Sequence, residues 1–326
     1  RGSRWKVIAR QPSYHGSTLG ALAVTGYEPL NAPFRPMMRE MPTIPAPTAY
    51  LDRDDLSWSE RGRRYADLLA AEIERQGSDS VLAFIMEPVG GASTGALVAP
   101  DSYYARVAEI CRHYGVLLIY DEVMSGAGRT GAFVAAEHWG ITPDIMVLSK
   151  GFAAGYAPLG AMAAPGRLVE PVLDAGGFLH GYTYAGNPLA CAAGLAVLAE
   201  IDRQDLIANA RARGASLLRR LEGLKDRFPF VGDVRGKGLL CAIELVSDRE
   251  TMAVLPPSLN AHARVVELAY DRGLIVYSRR TRGGLKGDHV MVCPPMIVTE
   301  AQLDELVGML AAALAAFARE AGLPGG

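Results

Sequence analysis

The sequence has no cysteine pair, no metal-ligand spacing and no block of like charge, and each gap removes a class of function. Its four cysteines (Cys111, Cys191, Cys241 and Cys293) stand far apart among apolar neighbours, with no C-x-x-C. They read as buried free thiols in a reducing compartment, not as a disulfide framework. None of the six histidines falls at H-E-x-x-H spacing, so no metal is expected. The 33 basic and 35 acidic residues are interspersed and leave a formal charge of −2. Nucleic acid and anionic membranes would find no footprint on such a surface, so small molecules are the expected partners. Apolar runs are too short to span a bilayer and no secretory signal opens the chain, which points to the cytoplasm. The sequence opens at Arg1 without a methionine, in what reads as folded protein, so an N-terminal part is expected to be missing from it.

What is present is enough for one large domain plus a smaller one, at 326 residues. Apolar, β-branched runs at Val7–Ala9, Val81–Met86, Val116–Tyr120 and Ile145–Leu148 read as buried strands of a parallel sheet. Between them, Glu60–Gln76 and Ser102–Tyr114 place apolar residues at helical spacing. Strands alternating with helices predict an α/β fold with crossover connections. After Asn187-Pro188 the character changes. A small-residue helix (Leu189–Ile201) and a charged amphipathic one (Asp205–Phe228) precede strands near Leu239–Leu245, Leu274–Tyr277 and Val290–Cys293, with a closing helix from Thr299. The organisation expected is a large α/β domain over 1–200, with a mainly parallel sheet flanked by helices, and a small C-terminal α+β domain over 201–326. The Arg- and Gly-rich loop Arg279–Asp288 reads as mobile.

Two motifs point the wrong way. Gly126-Ala127-Gly128-Arg129-Thr130-Gly131 fits the dinucleotide-binding G-x-G-x-x-G. That motif needs its first glycine at the strand's immediate end, and here Asp121 to Ser125 intervene with two carboxylates that would repel phosphates. Leu117 to Glu122 resembles the metal-binding strand of an ATPase, but Gly232–Lys237 is one residue short of the partner phosphate loop and lacks its hydroxyl. Both fail on context.

Asp121 and Lys150 remain. Each stands where a buried strand ends, and open α/β sheets bind ligands outside the carboxyl ends of their strands. A lysine there is partly desolvated, which favours the neutral, nucleophilic amine. From the two residues alone, a buried ion pair is the better reading. The small residues from Gly151 to Gly155 favour a site, because they leave room for a flat ring and for close backbone approach.

Around these two residues the sequence resembles the class-III (ω-amino acid) aminotransferases, a family of fold-type-I pyridoxal-phosphate enzymes. The resemblance rests on LLIYDEVMSGAGRTGAF followed by PDIMVLSKGFAAGYAPLGA, with Ser13–Thr18 and Glu87-Pro88-Val89 upstream. HGYTYAGNP (His180–Pro188), VRGKGL (Val234–Leu239) and CPPMIVT (Cys293–Thr299) follow in the family's order. The resemblance implies pyridoxal 5′-phosphate as cofactor, held as a Schiff base by Lys150, which then shuttles the substrate proton. Asp121 would pair with the pyridine nitrogen and keep it protonated, so that the ring serves as electron sink. Tyr14 would stack on one ring face and Val123 pack on the other. His15 and Gly16 belong to the upstream motif, with no proton-transfer role for His15 or for His180. Glu87 belongs behind the ring, or is a buried structural carboxylate. Thr183 resembles the residue that binds the cofactor phosphate from the neighbouring subunit, which implies a homodimer or larger assembly with shared active sites.

Substrates are less determined. Relatives acting on ornithine-like or γ-amino substrates carry a glutamate–arginine gate where this sequence has Ala92 and Met291. The sequence is more similar to the amine– or β-alanine–pyruvate branch, in which a mobile-loop arginine binds a carboxylate. Arg282 is the candidate, with Arg279 and Arg280 competing and a solvated basic loop as the alternative. The family's upstream segment, with a Gly-Ser phosphate loop, is not in this sequence. The function expected is transfer of an amino group from an amine or ω-amino acid to a keto acid, preferably pyruvate, by ping-pong kinetics. An aminomutase, a decarboxylating transaminase, a phospho-lyase or a non-catalytic relative of the same fold are the alternatives.

Overall fold

The structure, a computed structural model, describes residues 3–325. Its first sheet contains β1 (Lys6–Gln11), β2 (Thr43–Pro45), β3 (Val81–Met86), β4 (Leu117–Asp121), β5 (Ile145–Leu148) and β6 (Ala161–Ala163), in the order β2-β1-β3-β4-β5-β6. Every neighbouring pair is parallel except β5 with β6. Two short helices, α1 (Leu19–Ala23) and α2 (Glu28–Asn31), lie between β1 and β2. Helices α3 (Trp58–Gln76) and α4 (Asp101–Tyr114) make the crossovers into β3 and β4. Ser57 and Glu60 form a reciprocal capping box that starts α3. Gly115 ends α4 in the left-handed conformation, which a glycine adopts without a Cβ clash. Leu69 and Ile73 of α3 and Tyr103, Val107 and Ile110 of α4 pack with Ile8, Phe84 and Leu118 of the sheet. Each such burial is worth about 1.5–3 kcal/mol and holds the strand ends in place.

The chain continues through α5 (Gly166–Asp174), α6 (Pro188–Arg203) and α7 (Leu206–Arg227) into β7 (Val231–Lys237), β8 (Leu240–Asp248), β9 (Ala253–Val254) and α8 (Ala261–Tyr270). It ends with β10 (Tyr277–Arg279), β11 (Asp288–Val292) and α9 (Glu300–Ala321). These strands form an antiparallel sheet in the order β10-β11-β8-β7, with β9 beside β8. Leu217 and Leu221 of α7, Val265 of α8 and Leu310 and Leu314 of α9 cover one face of it. Helix α9 is long and apolar enough to cross a bilayer, but half of its most apolar stretch is buried in this core. The expected strand at Leu274–Tyr277 is displaced: pairing begins at Tyr277, and Ile275 is largely exposed. Strands β2, β6, β7 and β9 and helices α1, α2, α5 and α8 have no counterpart in the sequence reading. Most are short or polar, and pairing partners decide them.

The glycine run that imitates a dinucleotide motif is a joint between the two sheets. Leu239 N–H donates to the Arg129 carbonyl at 3.0 Å, and Arg211 Nη2 donates to the Gly131 carbonyl at 2.8 Å. A Cβ on Gly238 would lie 2.4 Å from the Thr130 carbonyl carbon, so only glycine allows that approach. A second joint is ionic. Arg235 Nη1 meets Glu244 at 2.7 Å and Asp233 at 2.8 Å, and its Nη2 donates to the Thr94 carbonyl at 2.9 Å. Tyr50 closes it with a 2.7 Å hydrogen bond to Glu244.

Candidate active site

β4 and β5 run side by side with Asp121 opposite Val147, so Asp121 and Lys150 emerge at neighbouring strand ends. Lys150 opens a single 3-10 turn at φ +42°, a strained conformation for a side-chain-bearing residue. Ser149 Oγ ties that turn down by donating to the Leu159 carbonyl at 2.9 Å. Gly151 serves close approach, because its Cβ would lie 3.2 Å from that of Ala127.

The two residues open into one cavity of about 840 Å³. Seven of the nine residues singled out from the sequence line it: Tyr14, His15, Gly16, Glu87, Asp121, Val123 and Lys150. Asp121 is buried and accepts two hydrogen bonds, from the Val123 N–H at 3.0 Å on Oδ1 and from His15 Nδ1 at 2.8 Å on Oδ2. Each carboxylate oxygen has a further lone pair for a ring N–H. Glu87 is buried beneath, receiving the Gly91 N–H at 3.2 Å. Burial pushes its carboxyl above the usual range, while His15 and Arg10 pull it back. Glu122, next to Asp121, faces away and accepts from Ser125 Oγ and the Ala136 N–H.

Three expectations need correction. Lys150 lines the cavity but is exposed rather than partly desolvated, because its turn lifts it clear of the buried end of β5. Arg282 does not line the cavity. Its guanidinium donates to the Met252 carbonyl at 2.6 Å, and Arg279 lines the cavity instead. Strand alternation is the cause: Tyr277 and Arg279 share one face of β10, whereas Arg282 lies past the strand's end. The loop that reads as mobile is anchored by Glu28 N–H on the Gly283 carbonyl (3.1 Å) and by Tyr27 Oη on that of Arg280 (3.2 Å).

Thr183 also lies outside the cavity, in the exposed stretch from Leu179 to Tyr184 that contains His180. Ala92 and Met291 both stand in the cavity wall, within an apolar cluster that includes Val89 and Met124. The sequence reading missed Tyr27, Ser93, Ser149, Ile275 and Tyr277 as lining residues. Only Tyr277 left a signal, the Tyr-Ser-Arg alternation that aims it with Arg279.

The ring end of pyridoxal phosphate fits this donor set. Asp121 offers an anionic acceptor, Lys150 an amine at the next strand end, Val123 an apolar surface two residues after Asp121, and Tyr14 an aromatic surface from another segment. Comparison with known proteins agrees. Residues 1–314 match the family described as aminotransferase class-III. An uncharacterized aminotransferase of Bacillus subtilis is 37% identical over 313 residues, covering 95% of this chain and 70% of the relative. A taurine–pyruvate aminotransferase of Rhodobacter capsulatus is 35% identical, with 96% and 68% covered. The crystal structure of a pyridoxal-phosphate-bound amine transaminase from an uncultivated Pseudomonas species superposes with a TM-score of 0.88 at 35% identity, covering 96% of this chain and 70% of that one.

Proposed function

We propose that this chain, which belongs to the class-III aminotransferases and has pyridoxal 5′-phosphate as its cofactor, moves an amino group from an amine or ω-amino acid to pyruvate. The observation that carries the reading is the convergence of Asp121 and Lys150 from adjacent parallel strands into one cavity. When bound, the cofactor supplies the electron sink and the amino-group carrier. Lys150 Nζ would hold the cofactor and would carry the proton at the substrate carbon. Asp121 would accept from the protonated ring nitrogen. Val123 and Tyr14, both lining the cavity, would pack against the ring.

Substrate recognition follows the walls. Apolar Ala92 and Met291 supply no charged gate, which supports the amine–pyruvate branch over ornithine-like substrates. Arg279, held over the Tyr277 ring at 4.7 Å, is the guanidinium available to a keto-acid carboxylate. Kinship to a taurine–pyruvate aminotransferase supports pyruvate as acceptor.

The functional unit proposed is a homodimer. Leu179, Tyr182, Tyr184, Leu189 and Leu195 are all more than two-thirds exposed around Thr183, an apolar surface that a second copy would cover. Thr183 would then donate to the cofactor phosphate of the neighbouring site.

A panel of amines and keto acids, read by product analysis and steady-state kinetics, tests the reaction. Transfer of nitrogen to pyruvate with parallel double-reciprocal lines is the expected result. An isomerised amine, released carbon dioxide or released phosphate would replace it with another chemistry of the family.

A further inference from the structure

Arg279 reaches the cavity although a stronger partner for it stands nearby. Tyr277 and Arg279 lie opposite Met291 and His289 of β11, which in turn oppose Ala242 and Glu244 of β8. Residues directly opposite share a face, so Arg279, His289 and Glu244 form one cross-strand row. The ends of that row are two strand spacings apart, roughly 10 Å, within the joint reach of an arginine and a glutamate. Glu244 is fully buried, and its Oε1 has no hydrogen-bond partner, since Arg235 and Tyr50 both meet Oε2. Arg235 is shared with Asp233, so one guanidinium faces two carboxylates and the cluster keeps a negative charge. A charged hydrogen bond outweighs an exposed cation–π contact, yet Arg279 lies over the Tyr277 ring.

His289 stands between them, fully buried and held from two directions. Its Nδ1 lies 3.2 Å from Oγ1 of Thr281, a buried residue two positions after Arg279. Thr281 extends the ladder past β10, its N–H donating to the Gly287 carbonyl at 3.2 Å, so it shares the strand face of Arg279. From the wall of the cavity, a Cβ on Gly95 would lie 2.7 Å from Cγ of the ring. The loop that carries Ala92 and Ser93 therefore presses its backbone on the imidazole. Tied to Thr281, the ring fills that side of Arg279 and leaves the guanidinium the Tyr277 side, which is the cavity side. Burial, with the Arg235 guanidinium, pushes the imidazole pKa well below its usual value. A neutral ring neither repels Arg279 nor satisfies Glu244.

We propose that His289 is a positioning residue for substrate specificity: its imidazole partitions Arg279 from the Glu244 carboxylate and turns the guanidinium towards Tyr277 and the cavity. An arginine spent on Glu244 would leave the roof without its cation, and the site would keep amines but lose hold of keto acids. The partition works because it is a ring of fixed place and no charge, between a cation and a carboxylate that would otherwise meet. This inference rests on the reading of Arg279 as the partner of the keto-acid carboxylate.

The test measures KM for pyruvate and for a simple amine donor in the holoenzyme, and labels arginines with phenylglyoxal, read by peptide mass. His289→Ala opens the partition: KM for pyruvate rises about tenfold, the size of one lost charged hydrogen bond, and that for the amine stays within about twofold. Labelling of Arg279 falls in the same variant, because Glu244 now holds the guanidinium. His289→Phe keeps a neutral ring of similar volume in place and stays within about threefold of wild type for both substrates. On an Arg279→Ala background, His289→Ala adds less than about twofold, because the residue it acts through is gone. Undiminished Arg279 labelling in His289→Ala, equal rises for both substrates, a loss for Phe as large as for Ala, or full additivity with Arg279→Ala overturns the proposal. Should His289→Ala fail to fold, His289→Asn, shorter than the ring, carries the same contrast against His289→Phe. If Arg279→Ala itself leaves the KM for pyruvate unmoved, the reading of Arg279 fails, and the inference with it. If Arg279→Ala raises it but His289→Ala does not, only the inference falls.

Discussion

The floor of the cavity comes from the ends of parallel strands, whereas its roof comes from an antiparallel sheet, a loop and the turn before β10. On the floor, Asp121 is the last paired residue of β4 and Lys150 stands two residues past Leu148, the last paired residue of β5; the Val123 N–H ties the Asp121 carboxylate, and Ser149 Oγ ties the residue before Lys150 to the Leu159 carbonyl. On the roof, Tyr277, Arg279 and Met291 are placed by which face of a short strand they occupy. The difference teaches where chemistry and specificity reside. A strand end tolerates no slippage, so it suits groups that must meet the reacting atoms, while a strand face can change side chains and leave the backbone as it is.

The largest effect should come from the floor. Lys150→Ala removes both the covalent anchor and the proton carrier, and turnover should fall by at least about 10²–10⁴-fold. Borohydride reduction of the holoenzyme and peptide mapping should place the pyridoxyl group on Lys150; a label elsewhere would remove the floor from the reaction. Thr183→Asp should come close to the same loss by setting a negative charge against the neighbouring phosphate. Mixed dimers of Lys150→Ala and Thr183→Asp chains should regain activity, since one of their two sites is intact. Subunit exchange without recovery would confine each site to one chain.

Asp121→Asn should cost about 10²–10³-fold in the single-turnover rate, as loss of one electrostatic stabiliser does in other sites. The roof should respond less and differently. Arg279→Ala should raise KM for the keto acid by roughly 10–100-fold, the range of a lost charged hydrogen bond, and spare a simple amine donor. Arg282→Ala should stay within about twofold, because its guanidinium is spent on a backbone carbonyl. The reverse ranking would mean that the loop refolds when substrate binds.

The smallest effect separates the buried layer beneath the floor from the floor itself. Burial lifts the Glu87 carboxyl above its ordinary value, so the folded chain holds that proton more tightly than the unfolded one. Its stabilising contribution is complete below about pH 4.3 and fades as pH rises through the lifted value. Glu87→Gln has no proton to lose. The Tm of wild type minus that of Glu87→Gln should therefore decline from pH 4 towards neutrality, and a difference that grows instead would place Glu87 in a paired, stabilised state.

Sequence and tertiary structure divided this protein along the same line. The strands β3, β4 and β5 and the crossovers α3 and α4 were legible because their apolar periodicity is local and long. Asp121 and Lys150 were legible with them, since a strand that stops can be seen in the residues that stop it. Strand β7 was hidden, because Val231–Lys237 is largely polar and interrupted by Gly232 and Gly236, and its pairing with β8 makes it a strand. The glycine run 126–131 carried a signal for the wrong ligand, because protein packing demands the same glycines as approach to a pyrophosphate: a Cβ would meet the Glu122 carbonyl oxygen at Gly126, Met296 at Gly128 and the Arg211 backbone at Gly131. Which arginine faces the cavity was beyond the sequence, since Arg279, Arg280 and Arg282 differ by a residue or two and a strand turns its side chains over at every step. Only the register of β10 on β11 aims Arg279 inward and leaves Arg282 to the Met252 carbonyl.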